Sequence, residues 1–287
     1  MRKKWFRNLL KIAGALILIL FVVIGVIAYR FITPKTDDQI SKTFQDKKHK
    51  AFIEYVSFEG REVRVIHMQP ELDQKLPTLV FIHGSPGSAM DFKRYLMDDD
   101  LNARSNIIAY DRIGYGYLNA GEILPSVELE VELLHKILED IDVSNVVLVG
   151  YSYGGTVAMA SPLNYRKKIV LAAAVKGELE PMFWALNLYI WDLTRPLVPK
   201  VLGAASEEKL RHVDELVEYE DQWVASGSEV LSIHGRSDFI VPYQNSLYLG
   251  DLLGRKFTLV TLEDGDHALI WTHFELIRDI LLKSLKE

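Results

Sequence analysis

Hydrophobic residues fall into three regimes along the 287-residue chain. From Ile12 to Tyr29 they run without a charge, IAGALILILFVVIGVIAY. At 1.5 Å rise per residue, about 18–20 apolar residues cross most of a hydrocarbon core of about 30 Å, so the run predicts a membrane helix. From Phe31 to Lys50 the chain is polar, holds Pro34 and lacks a sustained helical or strand period, which predicts a tether. Beyond it, short apolar runs alternate with helix-length stretches. Phe52–Phe58 and Arg61–Met68 read as strands joined by a turn at Glu59 and Gly60. Buried-strand runs follow at Leu79–Ile82, Ile107–Tyr110, Val146–Val149, Ile169–Val175, Val230–Ile233 and Phe257–Leu262. Among the helical patterns between them Ser126–Ile141 is the clearest, with Ser126 placed to cap and Glu128 and Glu130 at the positive end of the dipole. Such alternation predicts a mostly parallel sheet covered on both faces.

One interval breaks the rhythm. Lys176 to Ser228 separates two strands by about fifty residues, where two to six are usual, so it predicts an insertion with its own structure. Its first part, Pro181–Leu186 and Leu188–Trp191, is densely aromatic, and Ser206–Trp223 has the pattern of a charged amphipathic helix. The aromatic part reads either as packing onto the main domain or as a lid over an apolar site.

Charge is uneven. Six of the 33 basic residues and none of the 39 acidic ones lie in the first thirty positions, which leaves the remainder at a formal charge of −12. Arg2, Lys3, Lys4, Arg7 and Lys11 ahead of the apolar run predict a cytoplasmic start and a domain on the far side of the membrane. A cleaved secretory signal, with Val26 and Ala28 at the cleavage site, is the competing reading, but the run exceeds the 7 to 15 residues of a signal core. An acidic domain argues against a nucleic-acid partner. The absence of cysteine excludes thiol nucleophiles, disulfides and cysteine-ligated zinc.

Candidate chemistry centres on GYSYGG, Gly150 to Gly155, between the strand run Val146–Val149 and the apolar stretch from Thr156. A serine held on a cramped strand-to-helix bend needs small residues two before and two after it, here Gly150 and Gly154. A serine hydroxyl also needs a base within reach and an acid to orient that base. Of the eight histidines, His49 lies in the tether, His135 and His212 in charged helices, and His67 and His234 in or beside strands. His267 lies in the loop after the last strand run and is the candidate base, ahead of His273. Asp238 follows the run Val230–Ile233, at the sheet end where ligands of open α/β sheets bind, and is the candidate acid ahead of Glu178. Asp264 and Asp266 read as turn formers. HGSPGS, His83 to Ser88, follows another strand run and supplies a glycine-rich loop, so the amides of Ser85 and Tyr153 are the candidate donors to a developing oxyanion.

Five segments in order, HGSPGS, YDRIGYG (Tyr110–Gly116), GYSYGG, HGRSDFIVP and GDHALIW, resemble the α/β-hydrolase superfamily over about residues 51–287. The resemblance implies an α/β-hydrolase fold with a mostly parallel eight-stranded sheet and a helical cap at 176–228. It implies Ser152 as nucleophile, Asp238 as acid, His267 as base and Ser85 and Tyr153 as oxyanion amides, with no metal or cofactor. His83, Asp111, Arg112 and His234 are then structural. The HGxPG pattern is also similar to that of proline iminopeptidases and epoxide hydrolases. Proline iminopeptidases usually carry glycine where Ser85 stands and tryptophan where Tyr153 stands, and epoxide hydrolases and haloalkane dehalogenases use an aspartate nucleophile. The expected activity is hydrolysis of a small or lipid-like ester at a membrane. An aminopeptidase using Glu178 or Glu180 to bind an amine, a carbon–carbon bond hydrolase or cofactor-free haloperoxidase, and a non-catalytic binding module are the alternatives. Oligomeric state is not readable from the sequence.

Overall fold

The computed structural model describes residues 11–12, 14–16, 19–20, 23, 33–45 and 48–286. The chain divides into two compact units, 1–33 and 34–287. The predicted membrane helix, Ile12–Tyr29, lies largely outside the described residues, although those described within it are helical. Among the described residues no helix is long and apolar enough to cross a membrane.

The second unit is built on eight strands: β1 (Phe52–Phe58), β2 (Arg61–His67), β3 (Thr78–Ile82), β4 (Asn106–Tyr110), β5 (Val146–Tyr151), β6 (Lys167–Leu171), β7 (Val230–Gly235) and β8 (Phe257–Leu262). Their order is β1-β2-β4-β3-β5-β6-β7-β8. β2 pairs antiparallel with β1 and β4, and all other pairs are parallel. Every residue of β3, β4, β5 and β6 is buried. Side chains alternate along a strand, so the unbroken apolar runs feed two cores. Val80, Ile82 and Leu148 enter one core with the helices Val127–Ile137 and Tyr153–Ala160. Leu79, Phe81 and Val147 enter the other, against the C-terminal helix Phe274–Ser284.

Three sequence expectations need correction. The tether at 31–50 is in part a docked helix, Asp37–Gln45, whose Ile40 and Phe44 are fully buried in the second core. Two apolar residues at i and i+4 form one narrow stripe, enough to dock a helix but too short to register as a period. Its start is fixed by Thr36 and Gln39, which exchange side-chain and backbone hydrogen bonds at 3.0 and 3.4 Å as a capping box. The run predicted as strand Ile169–Val175 begins earlier, at Lys167, and ends at Leu171. Ala172, at φ 49°, turns the chain out of the sheet, and Val175 instead receives the indole N–H of Trp223 at 2.9 Å. The amphipathic helix of the insertion spans Lys200–Tyr219 rather than Ser206–Trp223, and short helical turns occupy the aromatic stretch before it.

Candidate active site

β5 passes directly into the helix Tyr153–Ala160 through Ser152, whose φ of 53° and ψ of −122° are rare for a residue with a side chain. Such a conformation costs about 1–3 kcal/mol and persists only where its surroundings impose it. The amide of Ser152 donates to the Leu171 carbonyl at 2.9 Å, and its own carbonyl accepts from Gly155 at 2.8 Å. Glycine is required on both sides of the bend. A Cβ at Gly150 would overlap the Gly154 carbonyl, and one at Gly154 would overlap the carbonyls of Ile82 and His83.

The loops after β7 and β8 meet above this bend. Ser237 N–H donates to the Gly265 carbonyl at 3.0 Å and Arg236 N–H to the Leu262 carbonyl at 2.9 Å, which ties the two loops backbone to backbone. Asp238 and His267 are thereby adjacent: Asp238 Oδ2 lies 2.7 Å from His267 Nδ1. His267 Nε2 lies 3.1 Å from Ser152 Oγ. With the Nδ1 proton directed at the carboxylate, Nε2 is free to accept the serine proton. Asp238 Oδ1 accepts from the amides of Ile240 and Val241, both at 2.9 Å. Burial alone would raise the Asp238 carboxyl, but His234, His267 and the Val241 amide together hold it far below the usual carboxylate range.

The rival residues lie elsewhere. Glu178 is solvent-exposed and pairs with Lys176 at 3.6 Å. His273 faces Asp264 at 3.4 Å and the Thr272 hydroxyl at 3.0 Å.

Ser85 and Tyr153 both line the space in front of Ser152. Neither backbone amide has a hydrogen-bond acceptor among the described residues. His83 accepts the Arg112 amide proton at Nε2, 2.9 Å away, and donates from Nδ1 to the Gly84 carbonyl at 2.7 Å. Burial, and then the Arg112 charge, push its imidazole down to about 3, so it is a neutral spacer. Asp111 receives Arg64 at 2.5 Å and the Ala89 amide at 2.8 Å. His234 donates to the Val241 carbonyl at 2.9 Å behind Asp238.

In front of Ser152 opens a cavity of about 690 Å³, walled on its cap side by Phe183, Leu186, Leu188, Leu197 and Leu202. Beside Ser85, Ser152 and Tyr153, its polar groups come from the insertion and were not singled out together by sequence. Glu180 pairs with Lys209 and faces His212 Nδ1 at 3.4 Å. Burial would raise the Glu180 carboxyl, but His212 and Lys209 outweigh it and hold it below its ordinary value. Its Oε1 is buried with no hydrogen-bond partner among the described residues. The spacing Glu208–Lys209–His212 on one helix, after Glu180 ahead of the aromatic stretch, was the available signal. Glu208 also binds Arg112 and accepts from the Tyr115 hydroxyl at 2.7 Å, and Tyr115 in turn receives the Ser85 hydroxyl at 2.7 Å. The cap helix is thus wired to the loop that carries Ser85.

A model of the alpha/beta hydrolase family matches residues 79–279, more than half of the chain. The chain belongs to the alpha/beta hydrolase family. Within it, the chain is 27% identical over 235 residues to a 2-hydroxymuconate semialdehyde hydrolase from a Pseudomonas species, covering 69% of this chain and 81% of that one. It is 26% identical over 212 residues to a 2-hydroxy-6-oxo-2,4-heptadienoate hydrolase from Pseudomonas putida, covering 61% and 77%. Among solved structures, that of a membrane phospholipase A described as a bacterial virulence factor superposes with a TM-score of 0.64 at 18% identity, over 96% of this chain and 98% of that one. The two sequence relatives of this alpha/beta hydrolase are both named as hydrolases, and the likeness to the phospholipase structure is one of fold.

Proposed function

We propose that the protein is a serine hydrolase, tethered to a membrane by residues 12–29, that cleaves an ester with an uncharged, apolar acyl group. The observation that carries the reading is the linear contact Ser152–His267–Asp238, at 3.1 and 2.7 Å, opening onto an apolar cavity. In the proposed reaction His267 Nε2 takes the proton of Ser152 Oγ as that oxygen bonds to the ester carbonyl carbon. The carbonyl electron pair moves onto oxygen, where the amides of Ser85 and Tyr153 receive it. Collapse of the tetrahedral species expels the alcohol, which takes the proton from His267 and leaves an acyl-Ser152. Water then gives a proton to His267 and its oxygen to the acyl carbon, which frees the acid and restores the serine. Asp238 holds His267 in the required tautomer and stabilises its charged form.

Attachment to the membrane rests on the uncharged run Ile12–Tyr29 with its basic flank. Where described, Ile12, Leu16, Ile19, Leu20 and Val23 of this run are exposed. The dienoate named for one relative is an anion and calls for a free cation, whereas Lys209, which lines this cavity, is paired with Glu180. A second reading, an aminopeptidase, is favoured by one observation: Glu180 Oε1, unpartnered among the described residues, is available to accept from a substrate ammonium.

A fluorophosphonate probe tests the chemistry. Labelling of the wild type and none of Ser152→Ala is expected. A chain that stays unlabelled, or a Ser152→Ala enzyme with undiminished esterase activity, refutes the proposal. Rates across acyl esters and aminoacyl amides separate the two readings.

A further inference from the structure

The insertion that roofs the cavity is apolar on its outside as well. Between Met182 and Leu197 the side chains of Met182, Phe183, Trp184, Leu188, Ile190, Trp191, Leu193 and Leu197 are all exposed, Leu193 by 88% and Leu197 by 80%. Trp184 and Trp191 meet edge to face at 6.1 Å. The two charged residues of the stretch, Asp192 and Arg195, neutralise each other at 3.3 Å. So large an apolar surface on a water-facing domain marks a contact site. Phe183, Leu188 and Leu197 line the cavity too, so the patch surrounds its cap-side wall.

What covers this patch follows from the chain entering the domain. The capping box at Thr36 and Gln39 and the burial of Ile40 and Phe44 fix the backbone to the domain from residue 36 onward. Only residues 30–35 separate that point from the end of the apolar run, an extended reach of at most about 25 Å. The entry point and the cap are also joined by one loop. Tyr117 in that loop lies 3.5 Å from Asp37 Oδ2, and four residues on, Gly121 packs against Lys200 at the start of the cap helix.

From these relations we infer that the outer face of the cap, centred on Trp184, Trp191 and Leu193, docks into the interfacial layer of the bilayer that holds residues 12–29. Tryptophan favours the headgroup level and leucine the acyl boundary below it. The cavity mouth then opens toward lipid, and an apolar ester reaches Ser152 without crossing water. The inference rests on the membrane attachment proposed above, but its test needs no catalysis.

The chain has no cysteine, so single nitroxide labels can be placed on the full-length protein in lipid nanodiscs at Leu20→Cys, Leu193→Cys and Leu276→Cys. Leu276 is an exposed position on the C-terminal helix, which packs into the second core, whereas Leu216 of the cap helix packs into the first. Expected is high oxygen and low aqueous-nickel accessibility at 20 and 193, and the reverse at 276. A label at 193 as open to nickel as that at 276, with 20 in lipid, overturns the docking while leaving the attachment standing. A label at 20 in water removes the attachment and the docking together. A short 193-to-193 distance between two copies assigns the patch to a second chain and also overturns it. In the activity arm, the triple variant Trp184→Ser, Trp191→Ser and Leu193→Ser is expected to slow hydrolysis of a bilayer-embedded ester by about tenfold or more, with a short soluble ester unaffected. Equal loss on both substrates overturns it.

Discussion

The hydroxyl of Tyr151 donates to the backbone carbonyl of His267 at 2.8 Å, and the two rings lie 5.2 Å apart. The residue before the bent serine therefore holds the loop that carries the imidazole. One strand end positions both partners of the proposed proton transfer. Tyr151→Phe removes only the hydrogen bond. About a tenfold drop in kcat with KM little changed is expected, since misplacement of the base affects the reacting geometry more than binding. A kcat within experimental error of wild type would assign the tyrosine to packing alone.

Asp238→Asn is expected to lower kcat by about 10⁴, because an amide favours the wrong tautomer of His267. The wild-type carboxyl is held well below its ordinary value by the bonds from His234, His267 and the Val241 amide, which outweigh its burial. It stays ionised throughout the mildly acidic range, so its stabilising contribution is present above the unfolded carboxylate value and lost only in strong acid. Loss of activity between neutral pH and about pH 5 must then arise from a group other than Asp238. A pH–rate profile of the wild type beside the asparagine variant checks this.

Gly154→Ala places a methyl group against the carbonyl of Ile82, at the end of a strand buried on both faces, and against that of buried His83 just after it, neither of which can retreat. Loss of more than about 3 kcal/mol of stability, or no soluble protein, is expected by chemical denaturation.

Phe44→Ala tests the docked N-terminal helix. Emptying a fully buried aromatic site costs about 3–5 kcal/mol, to be read as a lower denaturation midpoint. A truncated chain that starts at residue 51 should show a comparable loss, and one that starts at 34 should not.

Lys168 is fully buried at the start of β6, with Nζ donating to the Met159 and Ser161 carbonyls at 3.3 and 2.6 Å. Burial pushes its ammonium down from 10.5 to about 7. Between those values the unfolded chain holds a proton that the folded chain has released, so this component of stability rises with pH across the window and is lost as pH falls toward 7. Its slope is at most about 1.4 kcal/mol per pH unit. Lys168→Met should abolish this slope, so the stability of the wild type relative to the variant should fall from pH 10 down to pH 7 in denaturation curves. An unchanged slope would mean that the ammonium stays charged in the fold.

The alternation of apolar runs and helical stretches determined the sheet and its two faces, since a strand covered on both sides must be apolar throughout. Local motifs determined which serine, histidine and aspartate to examine, because a bent serine needs its flanking glycines and the partner residues follow strand ends. Only the tertiary structure brought Ser152, His267 and Asp238 together, through backbone bonds between the two loops that carry Asp238 and His267 and through the Tyr151 hydroxyl on the His267 carbonyl, contacts that leave no local trace. It alone turned part of the presumed tether into the docked helix Asp37–Gln45, because a two-residue stripe gains its stability from the core it meets rather than from its own period. The Glu180–Lys209–His212 cluster and the exposed face of the cap were likewise decided in three dimensions, where burial and exposure depend on what the rest of the chain covers.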